Sequence, residues 1–188
     1  MQTSRLILRE FQPEDAIHLF QMNEDWDCIK FTGDVVFKNL EEAQNLVKNY
    51  DHYQKYGFGR WAVLDKVSEE FLGWCGIKYD EELNEYDLGF RFLKKHWGKG
   101  YATEASELCI KLGFEKFKIP EIVGRVMPEN VASIKVLEKL GMKFKESRMN
   151  NGVEWLILNV KNKSNLAISN KLWTTKSVKC FQKMEREL

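Results

Sequence analysis

The sequence predicts an α+β layer fold in which a mostly antiparallel mixed sheet carries helices on both faces. Three observations support this. After one short strand, apolar residues recur at helical spacing up to Gly57; from Arg60 to Phe92 they shift to short aromatic runs separated by charged turns; beyond Gly100 helical and extended patterns alternate. With 188 residues the chain is long enough for one continuous core and short of two full domains.

The elements follow in order. Arg5 to Arg9 reads as the short strand, and Pro13-Glu14-Asp15 supplies the proline and acidic residues that open a helix continuing through Ala16, Ile17, Leu19 and Phe20. Asn39 caps a second helix with Ala43, Leu46, Val47 and Tyr50 on one side, ended by Gly57-Phe58-Gly59. Trp61 to Leu64, Phe71 to Ile77 and Tyr86 to Phe92 form a three-stranded meander. A third helix carries Ala102, Ala105, Leu108, Cys109, Leu112 and Phe117 and stops before Ile119-Pro120. Ile122 to Val126 is a strand, and Pro128-Glu129-Asn130 leads into a helix with Ile134, Val136, Leu137 and Leu140 that Gly141 terminates. Met142 to Phe144 and Val153 to Leu158 close the pattern as strands, giving the order βααβββαβαββ over residues 1–160.

The net charge of +1 makes no demand for nucleic acid or an anionic membrane as partner. The balance is uneven, however: residues 161–188 hold seven Lys/Arg against two Glu, leaving 22 positive against 26 negative before them. That basic tail is expected to be docked or partly ordered, and its lysines lie among Ser and Asn with little aromatic interleaving, which speaks against a nucleic-acid surface. Cys28, Cys75, Cys109 and Cys180 form no Cys-x-x-Cys pair, the start Met1-Gln2-Thr3-Ser4-Arg5 lacks a secretory apolar run, and no apolar run approaches the ~20 residues of a membrane span. A cytoplasmic protein with free thiols is expected.

The chemistry concentrates in Leu93 to Ala105, which runs from a strand through a glycine-bearing turn into a helix. Such a turn aims backbone N–H groups and the positive end of the helix dipole at one point, where an anion such as a phosphate group is favoured. Gly98 and Gly100 remove the side chains that would hold a phosphate away. A Walker loop is excluded because Gly100, and no Ser or Thr, follows Lys99; the dinucleotide fingerprint is excluded because Thr103 replaces its third glycine and the preceding meander is not a parallel scaffold.

Lys95-His96-Trp97-Gly98-Lys99-Gly100 resembles the pyrophosphate signature of the GNAT superfamily of N-acetyltransferases, with Lys95 where that pattern has Gln or Arg. The block from Trp97 to Ala105 is similar to the RimJ/RimL branch, the ribosomal-protein N-terminal acetyltransferases. Thr3 to Arg9 with Pro13 to Ala16, Leu72 to Ile77, and Asn130 to Ser133 with Glu138 to Met142 resemble further segments of that branch in the right order.

The resemblance implies the GNAT-like acyl-CoA N-acyltransferase fold, acetyl-CoA as co-substrate, and direct acetyl transfer to a primary amine, either a protein N-terminus or a small amine. The pyrophosphate would lie on the amides of Trp97, Gly98, Lys99, Gly100, Tyr101, Ala102 and Thr103. The peptide-like pantetheine arm would pair with Phe90-Arg91-Phe92 as an added strand, with Asn130 also holding it. Homodimers are common among such proteins, though no residue marks an interface here. An amine attacks a thioester only when neutral, so the site must accept a proton and help a thiolate leave. Strand alternation puts Glu85, Asp87, Gly89 and Arg91 on one face. The resemblance makes Asp87 the leading candidate base, standing two residues before Gly89, with Glu85 the alternative on the same face. A tyrosine acid common in the superfamily is replaced by Leu137, and the branch resemblance gives the leaving-group role to Ser133, although Asn130 and Ser133 are equally good helix caps. No metal is required, and His18, His52 and His96 have no ligand spacing. The acidic runs Asp80-Glu81-Glu82 and Glu24-Asp25-Trp26-Asp27 either attract a cationic substrate or form ordinary solvated turns. The competing class is a non-catalytic acyl-CoA-binding protein of the same fold.

Overall fold

In the computed structural model, residues 1–162 are described. The strands are β1 (Leu6–Arg9), β2 (Arg60–Asp65), β3 (Phe71–Asp80), β4 (Glu85–Phe92), β5 (Glu121–Val126), β6 (Lys143–Asn150) and β7 (Val153–Lys161). The helices are α1 (Ala16–Glu24), α2 (Trp26–Ile29), α3 (Leu40–Lys48), α4 (His52–Tyr56), α5 (Tyr101–Glu115) and α6 (Val131–Lys139), with single 3-10 turns at Pro13–Asp15 and Lys94–His96. The expected tail lies outside the described residues, except that Lys161 ends β7 and Asn162 is buried beneath it.

The seven strands form one sheet in the order β1-β2-β3-β4-β5-β7-β6, antiparallel throughout except where β4 meets β5. Alternation along the strands, shifted once where Leu72 is the extra residue opposite Val63/Leu64 and so sets Phe71 out of phase with Cys75, feeds two cores. Trp61 and Val63 of β2, Cys75 and Ile77 of β3 and Leu88 and Phe92 of β4 pack against Ala105 and Cys109 of α5. Ala62 of β2 and Phe71 of β3 pack against Leu19 and Met22 of α1 on the opposite face, with Trp74 alongside. Helices therefore cover both faces, as the sequence predicts.

Strands β3 and β7 run three residues past their expected ends, and three further differences have a local reason. The second predicted helix breaks between Lys48 and His52, so that α3 and α4 are separate; Asn49 leaves helical geometry there, and Gly57 ends α4 with a positive φ of 75°. Asp25 accepts a bond from the Asp27 amide at 3.0 Å and starts the one-turn α2, which no apolar period announces. Strand β6 extends to Asn150, well past Phe144, because its exposed edge residues pair with β7 and not with a core.

Candidate active site

The site begins where β4 and β5 part. These parallel strands share one paired position, Asp87 opposite Val123, and diverge beyond it. The edge of β4 from Leu88 to Arg91 that would face β5 therefore has no strand partner among the described residues, while its other edge pairs fully with β3. An unpaired strand edge offers alternating N–H and C=O groups to any peptide-like chain. Asn130 and Ser133, at the start of α6, line the same cleft of about 980 Å³.

The glycine turn follows β4 directly. Gly98 and Gly100 adopt φ of +75° and +80°, and a Cβ at Gly98 would meet nothing within 4 Å, so the space above the turn is open. Helix α5 has no side-chain cap. The amides of Gly98, Lys99, Gly100, Tyr101, Ala102 and Thr103 find no acceptor among the described residues; the next one, Glu104, bonds the Gly100 carbonyl at 3.1 Å. Six successive donors at the head of a four-turn helix make a well-formed anion site. Trp97 departs from the expected set: its amide donates to the Lys94 carbonyl at 3.1 Å and its indole Nε1 to the Phe92 carbonyl at 2.7 Å. It ties the turn to the end of β4 and leaves no backbone donor for a ligand.

Sequence reasoning missed what braces the turn. Arg5 donates through Nη1 to the Lys99 carbonyl at 3.0 Å and through Nε to Glu104 at 2.7 Å, and its guanidinium lies over the Tyr101 ring at 4.8 Å. Glu104 also accepts from the Thr3 and Ser4 hydroxyls and from the Arg5 amide. The Thr3-Ser4-Arg5 segment thus straps both flanks of Gly100. The only trace of this in the sequence is a Glu in the first turn of α5, which reads there as a favourable charge on a helix dipole.

On the α1/α3 face of the sheet, Glu85, Asp87, Gly89 and Arg91 share the side that alternation predicts, but their environments differ. The Arg60 guanidinium reaches across from β2 to bond Asp87 Oδ2, the Asp87 carbonyl and the Gly76 carbonyl. Gly89 makes this possible, since a Cβ there would stand 2.7 Å from the Arg60 guanidinium carbon. Asp87 Oδ1 accepts no bond from the described residues. Glu85 is held on both oxygens by Arg148, at 2.6 and 2.9 Å, and by Arg125 at 3.1 Å. The Arg148 hydrogen bonds chiefly, then those of Arg125, hold its carboxyl below the usual range against the opposing effect of burial. Arg91 pairs with Asp34 and lies, like Arg60, against the Trp74 ring. At α6 the cap is made by Asn130, whose Oδ1 accepts from the Ser133 amide at 3.2 Å, while the Ser133 hydroxyl has no partner among the described residues. Leu137 is buried and packs over Gly124. Among the described residues no His/Cys/Asp/Glu group has the makings of a metal site, and no helix is long and apolar enough to cross a membrane.

The profile of the acetyltransferase (GNAT) domain matches residues 5–143. The chain belongs to the GNAT acetyltransferase family. It is similar to p20 of Bacillus licheniformis, an N-acetyltransferase of uncharacterized activity, with 32% identity over 73% of this chain and 79% of that one. The protein YkkB of Bacillus subtilis is 32% identical over 77% and 86% of the two chains. Among solved structures, the GNAT-family acetyltransferase from Bacillus anthracis superposes with a TM-score of 0.74 at 25% identity, covering 87% of this chain and 98% of that one. The spermidine N-acetyltransferase of Vibrio cholerae, solved with CoA and spermine, shares the fold, with a TM-score of 0.73 at 16% identity and coverage of 87% and 99%. GNAT acetyltransferases use acetyl-CoA as co-substrate, and the residues at the turn fit it: open donors for a pyrophosphate lie beside an open strand edge for a pantetheine amide.

Proposed function

We propose that this GNAT protein moves the acetyl group of acetyl-CoA directly to a primary amine in a ternary complex, in the manner of the RimJ/RimL branch. The row of unpaired amides from Gly98 to Thr103, next to the unpaired edge of β4, carries the reading. The pyrophosphate sits on those amides, and the pantetheine arm lies along Phe90, Arg91 and Phe92, with Asn130 beside it. The amine nitrogen attacks the thioester carbonyl, the N–C bond forms and the C–S bond breaks. The nitrogen's proton passes to Asp87 Oδ1, directly or through one water, and the Ser133 hydroxyl donates a hydrogen bond to the departing thiolate. Glu85 is assigned to anchoring Arg125 and Arg148, because a carboxylate held by two guanidiniums is a poor base. The acceptor is a small amine or a protein N-terminus; spermine, bound in the Vibrio cholerae structure of the same fold, is of the first kind. A reducing, cytoplasmic setting suits the three free, buried thiols Cys28, Cys75 and Cys109.

Calorimetry with CoA and acetyl-CoA, followed by CoA thiol release in the presence of amines, tests the proposal. Absence of binding to the folded chain overturns it; binding without turnover for any amine makes the chain an acyl-CoA-binding protein of GNAT fold.

A further inference from the structure

We infer that the acceptor presents its reacting amine as its only positive charge, on an apolar body of about aromatic size; the inference rests on the acetyl-transfer reading above. Charge comes first. Arg60, Lys78, Arg91, Arg125 and Arg148 line the cleft with the carboxylates Asp34, Asp80, Glu82 and Asp87, and each of the four guanidiniums holds at least one carboxylate, Arg148 taking Glu146 as well as Glu85. Three of those carboxylates are already engaged: Asp34 by Arg91, Asp80 by Arg125 at 3.1 Å, and Asp87 by Arg60. Glu85, behind them, is held by two arginines. Of the acidic runs that the sequence offers to a cationic substrate, only Asp80 and Glu82 reach the cleft. Asp27 pairs with Lys30 and Lys94, Asp25 caps α2, and Glu81 accepts from the Tyr56 hydroxyl. Glu82 alone in the lining pairs with no described cation. A polyamine entering this cleft would bring two or more ammonium groups among guanidiniums and find one open carboxylate at the exposed rim. The Trp74 ring, which would otherwise offer its face to an ammonium, already has the guanidiniums of Arg60 and Arg91 at 5.4 and 5.5 Å.

The walls supply the second half. The segment between α2 and α3 brings Phe31, Val35 and Phe37 to the cleft, facing Trp74 and Trp155. It is pinned by buried Asn23, which accepts from the Phe37 amide and donates to the Val35 carbonyl at 3.3 Å, and by the packing of Gly33 against Trp155. Aromatic and aliphatic walls beside the open Oδ1 of Asp87 suit an amine attached to a ring or branched chain.

The test compares kcat/KM at saturating acetyl-CoA for phenethylamine, for a neutral tripeptide amide with N-terminal Phe, and for spermidine, at low ionic strength and one pH. The expected result is at least a tenfold preference for phenethylamine or the tripeptide over spermidine, the two favoured arms distinguishing a free amine from a peptide N-terminus. The double variant R125M/R148M, which frees Asp80 and Glu85, is expected to raise spermidine relative to phenethylamine by at least fivefold, a shift that loss of packing alone does not produce. Spermidine used as well as or better than both overturns the inference while leaving acetyl transfer standing. Turnover with none of the three, despite tight CoA binding, overturns the transfer reading and this inference with it.

Discussion

Asp87 has one oxygen committed to Arg60 and the other open to the cleft, which separates its holding function from the proton-accepting one proposed for it. Replacing it with Asn keeps an oxygen for Arg60 and removes the proposed base. Asp87→Asn is therefore expected to lower kcat by about 10²- to 10⁴-fold with KM for acetyl-CoA nearly unchanged, measured by steady-state thiol release. Asn130 and Ser133 divide in the same way. Asn130 makes the cap, so Asn130→Ala should cost about 1 kcal/mol of stability in denaturant unfolding. Ser133→Ala leaves that cap intact and should lower kcat without shifting Tm. At this scale the sequence shows which residues share a face, because strand alternation is a local rule. It cannot show which carboxylate an arginine takes: Arg60 and Asp87 are 27 positions apart, and their meeting depends on the β2-β3-β4 register and on the missing side chain at Gly89.

The element that matters most is the turn into α5, and its donor row is useful only if it is held still. Two features hold it: positive φ at Gly98 and Gly100, and the strap from Arg5 to Lys99 and Glu104. Gly100→Ala forces an alanine to φ near +80°, a cost of about 1 to 2 kcal/mol that the turn relieves by relaxing away from its anion-binding shape. Calorimetry with CoA should show affinity falling about tenfold or more. Arg5→Lys keeps the charge and loses the fork that reaches two acceptors at once. It is expected to raise KM for acetyl-CoA several-fold with kcat little changed, and CoA titration separates this from a change in chemistry. The turn was legible from glycine spacing and the helix beyond it from its apolar stripe. The break between α3 and α4 and the one-turn α2 were not, because each turns on a single residue, Asn49 leaving helical dihedrals at the break and the Asp25 side chain taking a backbone amide to start α2.

Over the whole molecule, polar groups that shape the site also contribute to its response to acid. The carboxyls of Glu85 and Glu104 are both held below their usual range. For Glu85 the Arg148 bonds dominate; for Glu104 burial opposes the shift and the bonds from Thr3, Arg5 and Ser4 overcome it. A carboxyl with a depressed folded pKa contributes stability in full above its unfolded value, ~4.3, and loses it as pH falls through the folded value. His96, buried in the segment before the glycine turn with Glu70 3.4 Å from Nε2, has its pKa lowered chiefly by burial. Its neutral form suits the fold, so its contribution is present above the unfolded value of ~6.5 and shrinks as pH falls towards the folded one. Both effects have the same sign and occupy successive windows. Thermal melts from pH 8 to pH 3 should show Tm declining first below about pH 6.5 and then more steeply below about pH 4.5. His96→Gln is expected to flatten the upper step alone, and Glu104→Gln to weaken the lower one. A Tm that holds constant from pH 7 to pH 5 in the parent would remove His96 from this account while leaving the carboxylate step to be judged by Glu104→Gln.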